Sequence, residues 1–295
     1  MLSTPAPRLI PVRERSRSRW LRGLSSLGRW KLLSFGVLLV LLYAAVALIG
    51  PEVAPYEPNA THPQSTLEAP SSGFRFGTDK FGRDIFTRVL YATRLDLSIA
   101  FSVALSAFLV GSIIGALSGY YGGIVDDVVM RVVDVLLAFP AFILAMALTG
   151  ILGDTVPNVV MAISVAYVPY FIRLTRGEML RVRTLQYADA AVGVGNPRWR
   201  VVLVHLLPNA LTPAFIQLTL VLGWAILDAA GLAFLGLGIT PPTAEWGVMV
   251  AEGAQRIITG EWWTWLFPGL AIVIIAFGFS IVGDGLRDLL AREER

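Results

Sequence analysis

Six long stretches of this 295-residue chain contain no Asp, Glu, Lys or Arg, and nothing else in the sequence constrains its fold as strongly. They are Leu32–Gly50, Leu97–Val125, Val135–Gly153, Thr155–Ile172, a pair flanking Asp228 (Leu206–Leu227 and Ala229–Ala244), and Trp262–Gly283. About 20 apolar residues in a helix cover the hydrocarbon core of a bilayer, so each stretch predicts a membrane span. The fifth is one helix over about 211–238 with an acid inside it. With 55% hydrophobic and 15% charged residues, the chain is too apolar for a soluble protein of its length. The expected fold is all-α, a polytopic transmembrane bundle of six helices.

The same counts exclude several chemistries. There is no Cys, and His62 and His205 are the only histidines, so neither a disulfide framework nor a multi-histidine metal site is expected. No cofactor is expected either. The two lysines, Lys31 and Lys80, are followed by Leu32 and Phe81, which leaves no Gly-x-x-x-x-Gly-Lys-Ser/Thr phosphate loop. A basic pI near 9.4 could indicate nucleic acid, but the basic residues flank apolar spans, as they do in a protein oriented against a membrane.

Charge asymmetry sets the topology. Arg8, Arg13, Arg15, Arg17, Arg19, Arg22, Arg29 and Lys31 precede the first span, whereas residues 51–74 hold no Lys or Arg. The N-terminus is therefore expected in the cytoplasm, and six crossings bring Arg287, Arg292 and Arg295 back to that side. Arg75, Lys80, Arg83, Arg88 and Arg94 then fall outside, interspersed with Asp79, Asp84 and Asp96. The expected organisation is a basic tail (1–31), a first helix (32–50), an extracytoplasmic loop and pre-helix segment (51–94), a five-helix core (95–285) with a cytoplasmic loop at 174–209, and a short tail (286–295). A cleaved signal peptide is the alternative for the first stretch, but 19 apolar residues exceed the usual 7–15.

The loop between the fourth and fifth spans reads as a short Ala-rich helix, a break at Gly195 and Pro197, and an amphipathic helix ending near Pro208. Here the chain resembles the permeases of binding-protein-dependent ATP-binding-cassette importers. Those carry Glu-Ala-Ala, three residues, Gly, and a distal Leu-Pro; the matching residues are Asp189, Ala190, Ala191, Gly195, Leu207 and Pro208, with His205 between. Asp189 departs from the family's Glu but keeps its charge. A second resemblance, at Gly77, Thr78, Asp79, Gly82, Arg83 and Asp84, is to the second membrane subunit of dipeptide, oligopeptide and nickel permeases. Its residues also fit a structural turn, in which Thr78 or Asp79 would cap a helix over Arg83–Leu97. Further matches at Met130 to Asp134 with Ala138 to Pro140, at Phe234 to Pro242 with Glu245 to Gly247, and at Gly283 to Asp288 extend the resemblance over residues 76–290.

The resemblance implies a type I importer permease without an ATPase site, paired with a homologous permease, two cytoplasmic ATP-binding subunits and an extracytoplasmic substrate-binding protein in a bacterial inner membrane. Residues 189–208 would be the ATPase-coupling loop. The implied cargo is di- or oligopeptides, with nickel complexes as the alternative. An ion-coupled secondary transporter would bring more spans and internal repeats, and an intramembrane hydrolase would need paired acids or a His-Glu-x-x-His site.

Three features are open to more than one reading. Asp228 inside a span is either a pathway residue that attracts a cationic group or a packing residue bonded to a neighbour. Gly111, Gly115, Gly119 and Gly123 recur every four residues, a groove into which another helix can press. Arg131 and Asp134, at i and i+3, are expected to form a local ion pair.

Overall fold

The computed structural model describes residues 19–293, all helix and loop among the described residues. Five helices are long and apolar enough to cross a membrane: α1 (Arg19–Val53), α2 (Ile85–Tyr121), α5 (Val156–Val182), α9 (Thr212–Phe234) and α11 (Trp263–Glu293). The basic tail over 1–18 lies outside the described residues.

The third expected span is not a straight helix. α3 (Gly123–Leu137) and α4 (Ala141–Leu152) meet at 90°, together making one broken span or a re-entrant pair. Pro140 lies at the break as the residue preceding α4, where it cannot donate to continue α3. α3 also carries Asp126, Asp127, Arg131 and Asp134, so only its C-terminal part and α4 are free of charge. The second span begins earlier than the apolar stretch suggests, at Ile85, and ends at Gly122, whose φ of 64° stops the helix before α3.

The tightest seam joins α2 and α5. A Cβ at Gly111 would stand 2.5 Å from the Phe171 Cβ, one at Gly115 would stand 2.5 Å from the Ile172 carbonyl oxygen, and one at Gly119 would stand 2.9 Å from the Arg176 carbonyl oxygen. These three glycines therefore let the two backbones touch. Gly123 meets nothing, because it lies beyond the helix end. α9 and α11 approach in the same manner at Gly223 and Gly283, and α1 lies along α11 at Gly36 and Gly278. The bundle has two ends: one carries the loop 54–84 and α10 (Trp246–Ala254), the other carries residues 183–211.

Candidate functional site

At the second end the chain leaves α5 and builds a knob. α5 runs on to Val182, ten residues past the apolar stretch, so the first part of the expected loop is helical. Then come α6 (Gln186–Gly193), a turn through Gly195 and Pro197, α7 (Arg198–Arg200), a π-helical turn over Val201–Leu206, and α8 (Leu207–Ala210). Gly195 has φ of 83°, the left-handed region, and a Cβ there would meet no atom within 4 Å. Glycine is needed at this position for the turn and not for space inside the protein. Pro208 does not end the second helix as expected; it lies in the first turn of α8, and the π-helical register just before it accommodates the missing donor.

A small core holds the knob to the bundle. Ala188, Val201, Val202, Leu206 and Ala210 pack on Ala116 of α2 and on Met179 and Val182 of α5. Arg183 donates to the carbonyls of Gly119 (2.8 Å) and Tyr120 (3.1 Å), and Arg176 clasps Asp126 through two 2.5 Å bonds. The knob's other face is open. Asp189, Ala190, Gly195 and Pro208 are exposed, Ala191, His205 and Leu207 half-buried, and Val192, Val194 (78% exposed), Trp199 (55%) and Val204 stand out from the surface. The matched motif residues and these apolar side chains are thus presented together.

Asp228 lies on α9 and is half-buried; its carboxylate accepts a 2.7 Å bond from the Tyr167 hydroxyl of α5. Trp224, 40% exposed, stacks on Tyr167 with centroids 6.1 Å apart, and Tyr170 lies alongside. The neighbour bonded to the acid is thus a tyrosine of another span. Nearer the knob, Tyr170, Arg173, Leu174, Gln217 and Leu137 line a cavity of about 410 Å³. Arg173 bonds Asp134 at 2.7 Å there, so Asp134 pairs across to α5 instead of with Arg131 on its own helix.

The glycine-threonine-aspartate segment closes the loop 54–84 at the other end. Gly77 and Gly82 have φ of 75° and 72°, and a Cβ on either would strike backbone, at Glu68 and His62 respectively. Thr78 donates to Ser65 O and accepts from Glu68 N. Asp79 accepts from the Phe81 and Arg83 amides and pairs with the Arg83 guanidinium at 2.5 Å; Arg83 reaches on to Glu252 at 2.7 Å. The expected cap is corrected by one element: Asp84, not Thr78 or Asp79, caps α2, accepting from the Thr87 amide and hydroxyl at 2.8 and 2.6 Å. All six motif residues are engaged inside the protein.

Two features of this end were not anticipated. Arg88, 1% exposed, donates to the carbonyls of Pro58, Pro242 and Thr243 and to Asn59 Oδ1, tying the loop 54–84 to the loop before α10. Below it, Asp96 of α2 and Glu245 are two buried carboxyl groups that meet the same turn at the start of α10. Asp96 accepts from Trp246 N at 3.1 Å, and Glu245 caps α10 by accepting from Gly247 N (2.8 Å) and Val248 N (2.6 Å). Burial pushes the Glu245 carboxyl up to about 7. The presence of Glu245 in Glu-Trp-Gly was the only signal in the sequence; Asp96 is 149 residues away.

An all-helical membrane bundle with a knob beyond one end and a sealed loop at the other is the architecture of an importer permease. Residues 111–295 match the family model described as "Binding-protein-dependent transport system inner membrane component", and the chain belongs to that family. It is a multi-pass membrane protein and a transport subunit. The dipeptide transport system permease protein DppC of Alkalihalophilus pseudofirmus is 39% identical over 98% of this chain and 95% of its own. The probable D,D-dipeptide transport system permease protein DdpC of Escherichia coli is 41% identical over 85% and 84%. The di/tripeptide permease DppC of Pseudomonas aeruginosa is 39% identical over 86% of both. A solved inward-facing structure of the MetNI methionine ABC transporter superposes with a TM-score of 0.53 at 19% identity, covering 67% of this chain and 93% of that one, a likeness of fold.

Proposed function

We propose that this chain is one of two homologous permeases in an ATP-driven importer of di- or oligopeptides, with its termini and knob in the cytoplasm. The observation that carries the proposal is the knob: a protrusion beyond the spans, anchored on α2 and α5 and displaying Val192, Val194, Trp199 and Val204 to whatever lies outside the bundle. Large apolar groups exposed on a protruding segment of this kind mark a partner surface. The partner is a cytoplasmic ATP-binding subunit, one on each permease, and an extracytoplasmic protein delivers the cargo. The peptide assignment rests on the relatives' names and on the identity along nearly the whole chain.

The companion permease has its own surface. α3 and α4 expose Ile124, Val128, Val132, Val135, Ile143 and Ile151 on the broken span, far more apolar area than a helix buried in its own bundle leaves open. ATP-driven approach of the two ATPases moves the knobs, and the helices behind them open the path between the permeases alternately to each side. No bond is made or broken in this subunit.

The chain lacks cysteine, so topology can be read directly. A cysteine at Asn59 is expected to react with an impermeant maleimide in intact spheroplasts, and one at Asn196 only after permeabilisation. Labelling of position 196 from outside overturns the orientation and the coupling assignment together. Proteoliposomes holding the whole complex and its binding protein are expected to accumulate a labelled dipeptide only with ATP.

A further inference from the structure

Between α1, α2 and α11, near the end that carries the loop 54–84, the surface sinks into a groove of about 330 Å³. Its walls are apolar: Leu42 and Val46 from α1, Val89 and Leu90 from α2, Leu270 and Ile274 from α11. Two hydroxyls also line it, and both are taken up by backbone. Tyr43 donates to the Ala271 carbonyl at 3.1 Å and Thr93 to the Val89 carbonyl at 2.8 Å. The groove therefore offers its occupant hydrocarbon contact and no spare donor, which suits an alkyl chain and not a peptide backbone.

The groove has a mouth and a floor. At the mouth, Phe76 stacks on Phe267 with centroids 4.0 Å apart and meets Phe86 edge-on at 5.0 Å. The exposed Arg75 guanidinium lies 5.2 Å from the Phe86 centroid, and no carboxylate among the described residues pairs with it. At the floor, α1 and α11 come into contact: a Cβ on Gly278 would lie 3.4 Å from the Leu39 Cβ, and one on Gly36 would lie 2.6 Å from Ile281. The depth follows from helix geometry. Trp263 to Ile274 and Val53 to Leu42 are each about 16 Å at ~1.5 Å per residue. That is half of the roughly 30 Å hydrocarbon core. A helix of another subunit would need a seam running the whole thickness, and the contact at Gly36 and Gly278 closes this one midway.

We infer that this groove is a phospholipid site of the outer leaflet, holding one acyl chain between α1, α2 and α11 with the lipid phosphate on Arg75. A half-depth apolar slot with a cation at its open end and aromatic rings at the headgroup level matches the length, polarity and charge of one lipid. Bound there, the lipid fills the space left between α1, α2 and α11, beside the places where α1 already touches the bundle at Tyr43 and Gly50.

Native mass spectrometry of the complete importer, released from phosphatidylglycerol nanodiscs, tests this. The wild type is expected to retain one phospholipid more than the Arg75→Gln variant does at matched activation energy, with occupancy at least about threefold lower in the variant. Val46→Trp, which fills the slot, is expected to abolish the retained lipid. A photo-crosslinking residue at position 42 supplies a second reading that does not depend on how that variant folds, and is expected to form a lipid adduct. Equal retention in wild type and Arg75→Gln overturns the inference, and so does an adduct at position 42 with the companion permease instead of lipid.

Discussion

The bond between Tyr167 and Asp228 separates the two readings of the acid in the fifth span, because its two consequences can be measured apart. Tyr167→Phe removes the donor and leaves the Asp228 carboxylate without its 2.7 Å partner. Interhelical hydrogen bonds in membranes contribute about 0.6 kcal/mol on average and up to about 1.7. An acceptor left unpaired at a buried site costs about 1–3 kcal/mol. Since Asp228 is half-buried, the lower part of that range applies, and Tyr167→Phe is expected to cost about 1 kcal/mol. Asp228→Asn keeps an amide oxygen in place of the carboxylate and should cost less than about 0.5 kcal/mol. Unfolding of the purified subunit in mixed micelles, followed as the SDS fraction rises, gives these values. A cycle of Tyr167→Phe with Asp228→Ala is expected to show a coupling of about 1 kcal/mol. Additivity within about 0.3 kcal/mol refutes the claim that this bond joins α5 to α9. The charge is read by transport: Asp228→Asn, stable but neutral, is expected to lower uptake, and wild-type uptake by that variant removes Asp228 from the pathway.

Gly195→Val is expected to leave the spans inserted but to weaken ATPase retention or abolish the stimulation of hydrolysis by the loaded binding protein, since it strains a φ of 83° on an exposed turn; purified variant complexes with full stimulated uptake would sink the coupling assignment. Gly115→Leu drives a side chain into the Ile172 carbonyl, where its first carbon already stands at 2.5 Å, and should cost at least about 1–3 kcal/mol and lower the amount of folded protein in the membrane. Asp96→Asn keeps an oxygen to accept from the Trp246 amide and is expected to be tolerated, whereas Asp96→Ala leaves that buried N–H without its acceptor and should lower the thermal midpoint of the complex by several degrees. The Glu245 carboxyl lies above its ordinary value of 4.5 in the folded chain, at about 7, so its contribution to stability is full below pH 4.5 and is lost as pH rises through 7. Melting curves between pH 5 and 8 should flatten in Glu245→Gln.

What the chain discloses in one dimension is what local chemistry decides. Charge-free length gives the spans, glycine every fourth residue gives the α2–α5 seam, and the Ala-Ala, Gly and Leu-Pro spacing gives the knob. What it conceals depends on partners far along the chain. The bend between α3 and α4 was present as Pro140 and four charges, yet those residues also fit a span with a polar lead-in, and only packing against α5 decides. Asp134 has Arg131 one turn away but pairs with Arg173, because the bend carries it across to α5. Asp84 and not Asp79 caps α2, because the Gly77 and Gly82 turns fold Asp79 back onto Arg83. Asp96 and Glu245 are unremarkable singly, and bringing them to one turn needs α2 and the α10 loop to meet.

The glycine seam between α2 and α5 also has a mechanical meaning. Backbones in direct contact leave no compressible side-chain layer, so the two helices act as one stiff bar. α2 alone, 37 residues long, spans about 55 Å at ~1.5 Å per residue. The knob is bolted to one end of this bar through Ala116, Met179 and Val182, while Arg88 and Asp96 clamp the loops at its other end. A tilt of about 5° about one tip would sweep the opposite tip through about 5 Å over that ~55 Å length. A small tilt imposed at the knob is in this way carried along the bar and becomes a displacement of several ångströms at the far face.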